Sequence, residues 1–217
     1  MSPVGTQQPH VPEVRLDHLI FAALDLDAAV DDLERRLGVR AAPGGKHPGP
    51  ATHNALMDLG GGAYLEIIAP DPDRPAPATP RPFGLDGLTT PRLTGWAVQC
   101  SGIADAVSRA RHRGYDPGDP WDMERVTATG DVLRWQLTPA TATGGPVPFL
   151  IDWGTTTHPS ATSPSGLVLE SLHIEHPSAA QVSRSLDAIG IQVDVVEADE
   201  FAIVAHLGGP LGRVELR

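Results

Sequence analysis

The stretch RLDHLIFAALDLDAAVDDLERRLGV, residues 15–39, predicts a strand followed at once by a helix. Residues 15–24 carry the closely spaced apolar side chains of a buried strand. Asp25 is placed to cap a helix at its N-terminus, and Gly38 is placed to end it. Between them, four apolar residues fall at i, i+4, i+7 and i+11, the spacing of one helical face: Leu26, Val30, Leu33 and Leu37.

Three short strands are predicted after this helix. They fall near 39–42, at 52–59 and at 63–69. The segment 43–50, PGGKHPGP, is predicted to be a connecting loop because it consists largely of glycine and proline. Gly60-Gly61-Gly62 suits a tight hairpin turn between the last two strands. Together these elements form a βαβββ unit.

The same order of elements recurs twice further along the chain. Strand candidates at 93–100 and 168–175 each precede an amphipathic helix. Gly38, Gly114 and Gly190 fall at the ends of the three helices, and both intervals are 76 residues (114 − 38 and 190 − 114). Equal spacing of the helix ends supports a tandem repeat of three βαβββ units. One unit exposes an apolar sheet face, so the units must pack against each other.

The position of the three units divides the chain into a predicted tail and two predicted domains. Residues 1–14 lack an apolar period and are predicted to be a flexible N-terminal tail. Residues 15–160 are predicted to form one domain from two paired units, 15–70 and 92–154. The third unit spans 166–217. It has no partner within the chain under this pairing, so we expect it either to pair with its copy in a homodimer or to cap the first two units.

Two linkers separate the units. Residues 70–91 are rich in proline and are predicted to cross between the first two units as an extended segment. Residues 155–166, TTTHPSATSPSG, are predicted to be a flexible joint before the third unit.

The composition argues against several classes of protein. Lys plus Arg is 16 and Asp plus Glu is 27, so the formal net charge is −11, which opposes binding to nucleic acid or to an anionic membrane. No apolar run is long enough to span a bilayer, and no signal-peptide pattern is seen. The single cysteine, Cys100, excludes an intramolecular disulfide. We expect a cytoplasmic protein whose partner is a small molecule.

Several short motifs resemble the vicinal oxygen chelate superfamily, which includes glyoxalase I, extradiol dioxygenases and bleomycin-resistance proteins. LDHL at 16–19, with the helix that follows, is similar to the opening strand and helix of that superfamily. GGKHPG at 44–49, THNAL at 52–56 and YLEI at 64–67 resemble a subgroup of glyoxalase-like proteins. PFLIDW at 148–153 fits the same subgroup.

The resemblance implies an α+β fold in which tandem βαβββ modules form curved mixed sheets, with one helix per module packed on the outside. Two modules would pair around a cavity. Metal ligands, where members have them, come from the first and last strands of each module and are usually His, Gln or Glu. The implied chemistry is stabilisation of an enolate-like or oxyanionic intermediate, or oxygen activation on iron.

The first module offers two residues at these positions. His18 lies on its first strand and Glu66 on its last, and both types bind divalent metals. In the second module the aligned positions are Gly95 and Ile151, which cannot bind a metal. A site of His18, Glu66 and one further histidine would hold Zn, Ni, Mn or Fe. The candidates are His53 on the neighbouring strand, His47 in the glycine-rich loop and His158 in the second linker. Without a metal and with no other cofactor, His18 would hydrogen-bond Glu66 beside a pocket.

Further residues are candidates for the pocket. Arg134 alternates with apolar residues on a predicted strand. If its face lines the cavity, Arg134 would bind a substrate carboxylate or enolate, and otherwise that face is solvated. The other predicted pocket residues are His47, Asn54, Gln99, Trp121, Gln136 and Trp153.

Two functions fit these features. The first is a glyoxalase-like enzyme with isomerase or lyase chemistry on a carbonyl or enolisable substrate, in which His18, Glu66 and Arg134 are catalytic. The alternative is a metal-free protein that binds and sequesters a small molecule, as drug-resistance members of the superfamily do. The missing ligands in the second module favour the alternative.

Overall fold

A computed structural model of the chain describes residues 14–126, 132–141 and 144–217. The tail predicted at 1–14 lies outside these ranges except for its last residue. None of the helices in the described ranges is long and apolar enough to cross a membrane.

The first module consists of β1 (Arg15–Ala22), α1 (Leu26–Leu37), β2 (Ala42–His47), β3 (Thr52–Asp58) and β4 (Tyr64–Pro70). β3 pairs antiparallel with both β2 and β4, and β1 pairs parallel with β4. This gives the strand order β2-β3-β4-β1. The hairpin between β3 and β4 turns at the predicted glycine triplet.

The second module consists of β5 (Arg92–Gln99), α2 (Ile103–His112), β6 (Trp121–Val126), β7 (Val132–Leu137) and β8 (Phe149–Asp152). It repeats the pairing of the first module, with β5 parallel to β8. β1 and β5 pair antiparallel and join the two modules into one eight-stranded sheet, β2-β3-β4-β1-β5-β8-β7-β6. The sheet curls until its edge strands β2 and β6 come into contact, and its concave face encloses a cavity.

The third module consists of β9 (Val168–His176), α3 (Ala179–Ile189), β10 (Asp194–Glu197), β11 (Ala202–Gly209) and β12 (Gly212–Leu216). Its element order is the predicted βαβββ, but its strands pair in the order β10-β9-β11-β12. The first strand therefore lies parallel to the second strand of the module rather than to the fourth. This pairing makes a separate four-stranded sheet that does not extend the eight-stranded one.

The helices end where the glycine spacing predicts. Asp25 caps α1 by accepting a hydrogen bond from the Ala28 N–H at 2.9 Å, and Gly38 ends it in the left-handed conformation at φ 82°. Gly190 ends α3 in the same way at φ 95°, and Gly114 follows α2 at φ 91°. The 76-residue intervals therefore join three helix ends, and the predicted α+β fold of βαβββ modules is confirmed.

Two apolar cores lie on opposite faces of the curled sheet. The convex-face core holds side chains from α1, α2 and α3 together with those of the third module's sheet, for example Leu33, Ile103, Ile174 and Ile203. The third module thus covers the helices of the first two within the same chain. The concave-face core is smaller and borders the cavity.

Three segments predicted as loops or linkers are ordered. β2 occupies most of 43–50, because an edge strand tolerates proline and glycine that a central strand would not. The segment 70–91 contains a short 3₁₀ helix, Pro82–Gly87, which buries Phe83 on the concave face. The segment 155–166 contains a 3₁₀ turn at Pro159–Ala161 that is tied to β1.

Candidate functional site

The concave face encloses a cavity of about 270 Å³ whose two walls differ in chemistry. The first module supplies the polar wall, which contains His18, His47, Thr52, Asn54, Tyr64 and Glu66. The second module and the 70–91 segment supply an apolar wall, which contains Phe83, Trp121, Trp135, Leu137, Phe149 and Trp153. A small molecule in the cavity would therefore meet reactive groups on one side only.

A β-bulge in β1 brings two neighbouring side chains to the polar wall. The pairing of β1 with β5 shifts register between Leu16 and His18, which leaves Asp17 as the extra residue. A bulge breaks the alternation of side chains, so Asp17 and His18 lie on the same side of the strand. His18 Nδ1 lies 2.5 Å from Asp17 Oδ1. The ring is thereby fixed with Nε2 as its remaining polar atom.

Asp17 is the centre of a buried hydrogen-bond network. Its Oδ2 accepts from Trp153 Nε1 at 2.8 Å and from His158 Nε2 at 3.0 Å. The His158 proton is on Nε2, because Nδ1 of that ring accepts from the Ser160 N–H at 3.3 Å. Asp17 thus joins β1, β8 and the segment before the third module. Its side chain is fully buried.

The environment of Asp17 favours its charged form. Burial opposes ionisation and is the largest single influence, but hydrogen bonds from His158 and His18 together outweigh it and lower the pKa from 3.8 to about 2. Because the pKa of Asp17 is lower in the folded state, its charged form stabilises the fold at pH values above the pKa of the unfolded chain. This contribution is lost as the pH falls through the pKa of the folded state.

We expect a specific loss of stability in acid. A shift from 3.8 to about 2 corresponds to about 2 kcal/mol, present above pH 4 and lost between pH 4 and pH 2. Urea unfolding of wild type and Asp17→Asn across this range measures the contribution. The free-energy gap between them should narrow as the pH falls, and a gap that stays constant would contradict the assignment.

Glu66 lies beside His18 at the centre of the polar wall. Its Oε2 is 3.6 Å from His18 Nε2, slightly beyond hydrogen-bond distance. Its Oε1 accepts from Asn54 Nδ2 at 2.6 Å, which orients the carboxylate. The His18 side chain is 4% exposed and the Glu66 side chain 12% exposed. The site therefore contains an oriented imidazole and an oriented carboxylate next to each other.

Gly44 of β2 makes room for the Asn54 amide. A Cβ built on Gly44 would lie 3.0 Å from Asn54 Cγ and closer still to Asn54 Oδ1, with Leu56 Cγ at 3.1 Å. The close approach of the β2 backbone therefore holds the amide against Glu66.

Gly44→Ala should destabilise the protein by about 1–3 kcal/mol, because the extra methyl group overpacks this contact. Gly49→Ala is the matched control: it has open space around the same atom and should change stability by less than about 0.5 kcal/mol. Urea unfolding of both variants gives the comparison. Equal stability of the two would show that the Asn54 amide is not confined by Gly44.

Comparison with known proteins decides the family. A family model described as a glyoxalase-like domain matches residues 16–190, most of the chain. The chain belongs to the glyoxalase-like domain family. The match confirms the predicted resemblance to the vicinal oxygen chelate superfamily, so this glyoxalase-like protein is a small-molecule enzyme or binding protein of that type. No curated protein matches its sequence.

One solved structure shares the fold over most of the chain, and two others are similar at lower scores. A hypothetical protein from Staphylococcus aureus has a TM-score of 0.63 at 14% identity, over 94% of this chain and 84% of that one. Methylmalonyl-CoA epimerase from Mycobacterium tuberculosis has a TM-score of 0.41 at 19% identity, over 63% of this chain and 85% of that one. A hypothetical protein from Bacillus halodurans has a TM-score of 0.41 at 12% identity, over 64% and 92%. At these identities the similarity concerns the fold alone.

The second module of this glyoxalase-like protein has apolar residues where the first has its polar pair. β1 and β4 pair His18 with Tyr64, and β5 and β8 pair Ala97 with Phe149. The residue matching His18 is therefore Ala97, where the sequence alignment predicted Gly95. Neither Ala97 nor Phe149 has a side chain that can bind a metal or move a proton.

The donor set does not fit the divalent metal that this superfamily often uses. His18 and Glu66 lie together, but His53, the candidate third ligand on the neighbouring strand, is absent from the cavity wall that its neighbours Thr52 and Asn54 line. Side chains alternate along β3, so His53 lies on the other face. Within 14–126, 132–141 and 144–217, no three His, Cys, Asp or Glu side chains are placed to hold a metal ion.

Three other predicted site residues lie away from the cavity. Arg134 is on the outer face of β7, where it is 70% exposed and pairs with Glu124 at 3.4 Å. Gln136 shares that face and donates to an exposed aspartate. Gln99 accepts a hydrogen bond from Arg15 at 3.0 Å. Arg134 and Gln136 instead line a second, more open depression, together with Glu124 and Asp152. The predicted pocket residues that do line the cavity are His47, Asn54, Trp121 and Trp153.

Sequence reasoning missed two residues of the site and gave a third another role. Asp17 was assigned no role, because regular alternation puts it on the face opposite His18. His158 was a candidate third metal ligand in a flexible joint, whereas the structure bonds its ring to Asp17. Trp135 lines the cavity from the apolar face of β7, but the alternating pattern does not say which face turns inward.

Proposed function

We propose that this cavity catalyses a proton shift between neighbouring atoms of a small carbonyl compound. Such an enzyme is an isomerase, or a lyase when the enolate formed expels a leaving group. The observation that carries the proposal is the position of Glu66 Oε2 beside His18 Nε2, 3.6 Å apart on one wall of a largely apolar cavity. Two adjacent acid–base groups are what such a reaction requires.

Each residue of the polar wall has a distinct role in this proposal. Glu66 is the general base that removes a proton from the carbon next to the carbonyl group. His18 is the acid in its doubly protonated form: Nδ1–H stays on Asp17, and Nε2–H is delivered to the carbonyl oxygen. Asp17 holds His18 Nδ1 in hydrogen-bond contact, which fixes the ring and stabilises the imidazolium form during turnover. Asn54 orients Glu66.

The geometry favours one kind of proton transfer. Inversion at a carbon centre needs acid and base on opposite faces of the substrate, but His18 and Glu66 lie on the same wall. The second module contributes apolar side chains on the opposite side, for example Trp135 and Phe149. A proton would therefore leave and return on one face, which suits an isomerisation better than a racemisation.

A binding protein is the second candidate function. It is favoured by the second module, whose cavity side chains are apolar and contribute no acid or base among the described residues. In that case His18 and Glu66 would serve only to bind a polar group. Turnover separates the two candidates.

The test is conversion of small carbonyl compounds. Purified protein is incubated with a panel of ketones and hydroxyketones that bear one aromatic ring, and isomers or elimination products are followed by proton NMR. We expect conversion of at least one compound at a rate unchanged by dialysis against EDTA, because the donor set does not form a metal site. Binding without conversion across the panel would favour the second candidate, and loss of conversion on dialysis would contradict the metal-free assignment.

A further inference from the structure

We infer that the ligand has an apolar body the size of one aromatic ring and a polar head that donates hydrogen bonds and carries no negative charge. This inference rests on the proposed function, because it names the class of molecule on which Glu66 and His18 would act. It comes from three features of the cavity: the acceptor on its polar wall, its charge, and its size.

The polar wall presents one acceptor atom that lacks a donor. Glu66 Oε2 has no hydrogen bond among the described residues, and His18 Nε2 lies 3.6 Å from it, beyond hydrogen-bond distance. The Glu66 side chain is 12% exposed and lines the cavity, so a ligand can reach this oxygen. Leaving a carboxylate oxygen without a donor when a ligand displaces water is costly. A hydroxyl or N–H group of a ligand would donate the hydrogen bond that Glu66 Oε2 lacks.

The charge of the wall opposes an anion. Glu66 and the ionised Asp17 place carboxylates at and directly behind the wall. The described side chains that line the cavity include no lysine or arginine. An anionic head would lose its hydration without gaining a lysine or arginine partner, and it would lie against the carboxylate of Glu66. A neutral or cationic donor head avoids both costs.

The size and lining of the cavity indicate how large and how apolar the body of the ligand is. A volume of about 270 Å³ is at the lower end of small-molecule sites, which span about 300–1,000 Å³. Trp135 and Trp153 form one side, with ring centroids 5.3 Å apart. Phe83 and Phe149 form another, at 6.3 Å. Each of these ring pairs is in contact, and together they give the cavity flat aromatic sides that suit a single flat apolar group.

Four probes of one shape test the inference. Benzamide, acetophenone, benzoate and benzamidinium each attach a three-atom planar head to a phenyl ring, and they differ in donors and charge. Dissociation constants are measured by NMR titration of the tryptophan indole N–H signals. Trp121, Trp135 and Trp153 line the cavity, whereas Trp96 lies in the convex-face core and donates to Pro146, so its signal is an internal control for the location of binding.

We expect benzamide to bind about tenfold more tightly than acetophenone, which leaves the wall acceptor unpaired. Benzoate should bind more weakly than both. Benzamidinium shows whether a cationic donor head is preferred to a neutral one. Equal binding of benzamide and acetophenone, tighter binding of benzoate, or no binding of any probe would each overturn the inference.

Glu66→Gln should change this order. Asn54 Nδ2 will keep the amide oxygen of the new side chain as its acceptor, so an NH₂ group will replace Oε2. Benzamide should then lose its advantage over acetophenone, and benzoate should gain about tenfold in affinity. Glu124→Gln is the matched control on the outer face of β6 and should leave all four constants unchanged. An unchanged order in Glu66→Gln would contradict the role of Oε2.

The two proposals can fail separately. Selective binding of benzamide without conversion of any carbonyl compound would retain the ligand class and reject proton transfer. Efficient conversion of an anionic carbonyl compound would retain proton transfer and reject the ligand class.

Discussion

Glu66→Gln is expected to lower the rate of substrate proton transfer by about 10²–10⁴-fold, the usual contribution of a general acid–base group. The amide has the shape of the carboxylate and retains the contact with Asn54, so the wall keeps its form. It cannot accept a proton from carbon. Steady-state rates on a compound that the wild-type protein converts measure the effect.

The control for this prediction is Glu124→Gln. Glu124 carries the same functional group on an exposed surface, where it pairs with Arg134. Its substitution should leave the rate unchanged. If Glu66→Gln retained more than about a tenth of the wild-type rate, general-base catalysis by Glu66 would be rejected.

Asp17→Ala is expected to lower the free energy of unfolding by at least about 3 kcal/mol, because three donors lose a buried acceptor and each loss costs about 1–3 kcal/mol. Those donors are His18 Nδ1, Trp153 Nε1 and His158 Nε2. Urea unfolding measures the change.

Asp122→Ala provides the comparison for Asp17→Ala. Asp122 is exposed and accepts one hydrogen bond, from Gln136, so its loss should cost less than about 0.5 kcal/mol. Similar losses for the two variants would mean that the buried network around Asp17 contributes nothing beyond an ordinary surface contact.

Much of the curled sheet could be predicted from sequence. The 3.6-residue period and the capping residue Asp25 locate the first helix, and the glycine spacing locates all three helix ends. His18 and Glu66 were identified as a pair because they lie on the first and last strands of one module. The structure places both side chains on the cavity wall.

The rest of the site depends on contacts between distant parts of the chain. Asp17 joins it through a bulge that exists only in the pairing of β1 with β5. The two faces of β7 look equally suited to a cavity in sequence, and only its position between β6 and β8 puts Trp135 inside and Arg134 outside. The order of strands in the third module is likewise a matter of pairing, which an element order of βαβββ does not specify.

The two modules contribute different kinds of side chain to the proposed site. The first carries the bulge, the histidine and the carboxylate, whereas the second carries aromatic and aliphatic side chains at the matching positions, Ala97 and Ile151 among them. A cavity with reactive groups on one wall and an apolar surface on the other binds a substrate in one orientation. This asymmetry underlies both the same-face proton shift and the ligand class.

The most direct measurement is deuterium incorporation from D₂O into 2-hydroxyacetophenone, an uncharged ketone with a hydroxyl donor and two hydrogens on the carbon next to its carbonyl group. Reaction on one face predicts protein-dependent exchange of one of these hydrogens, and loss of that exchange in Glu66→Gln. The contradicting result is binding without exchange. The compound would shift the indole signals of Trp135 and Trp153, which shows that it occupies the cavity, but its hydrogens would exchange with deuterium no faster than in buffer.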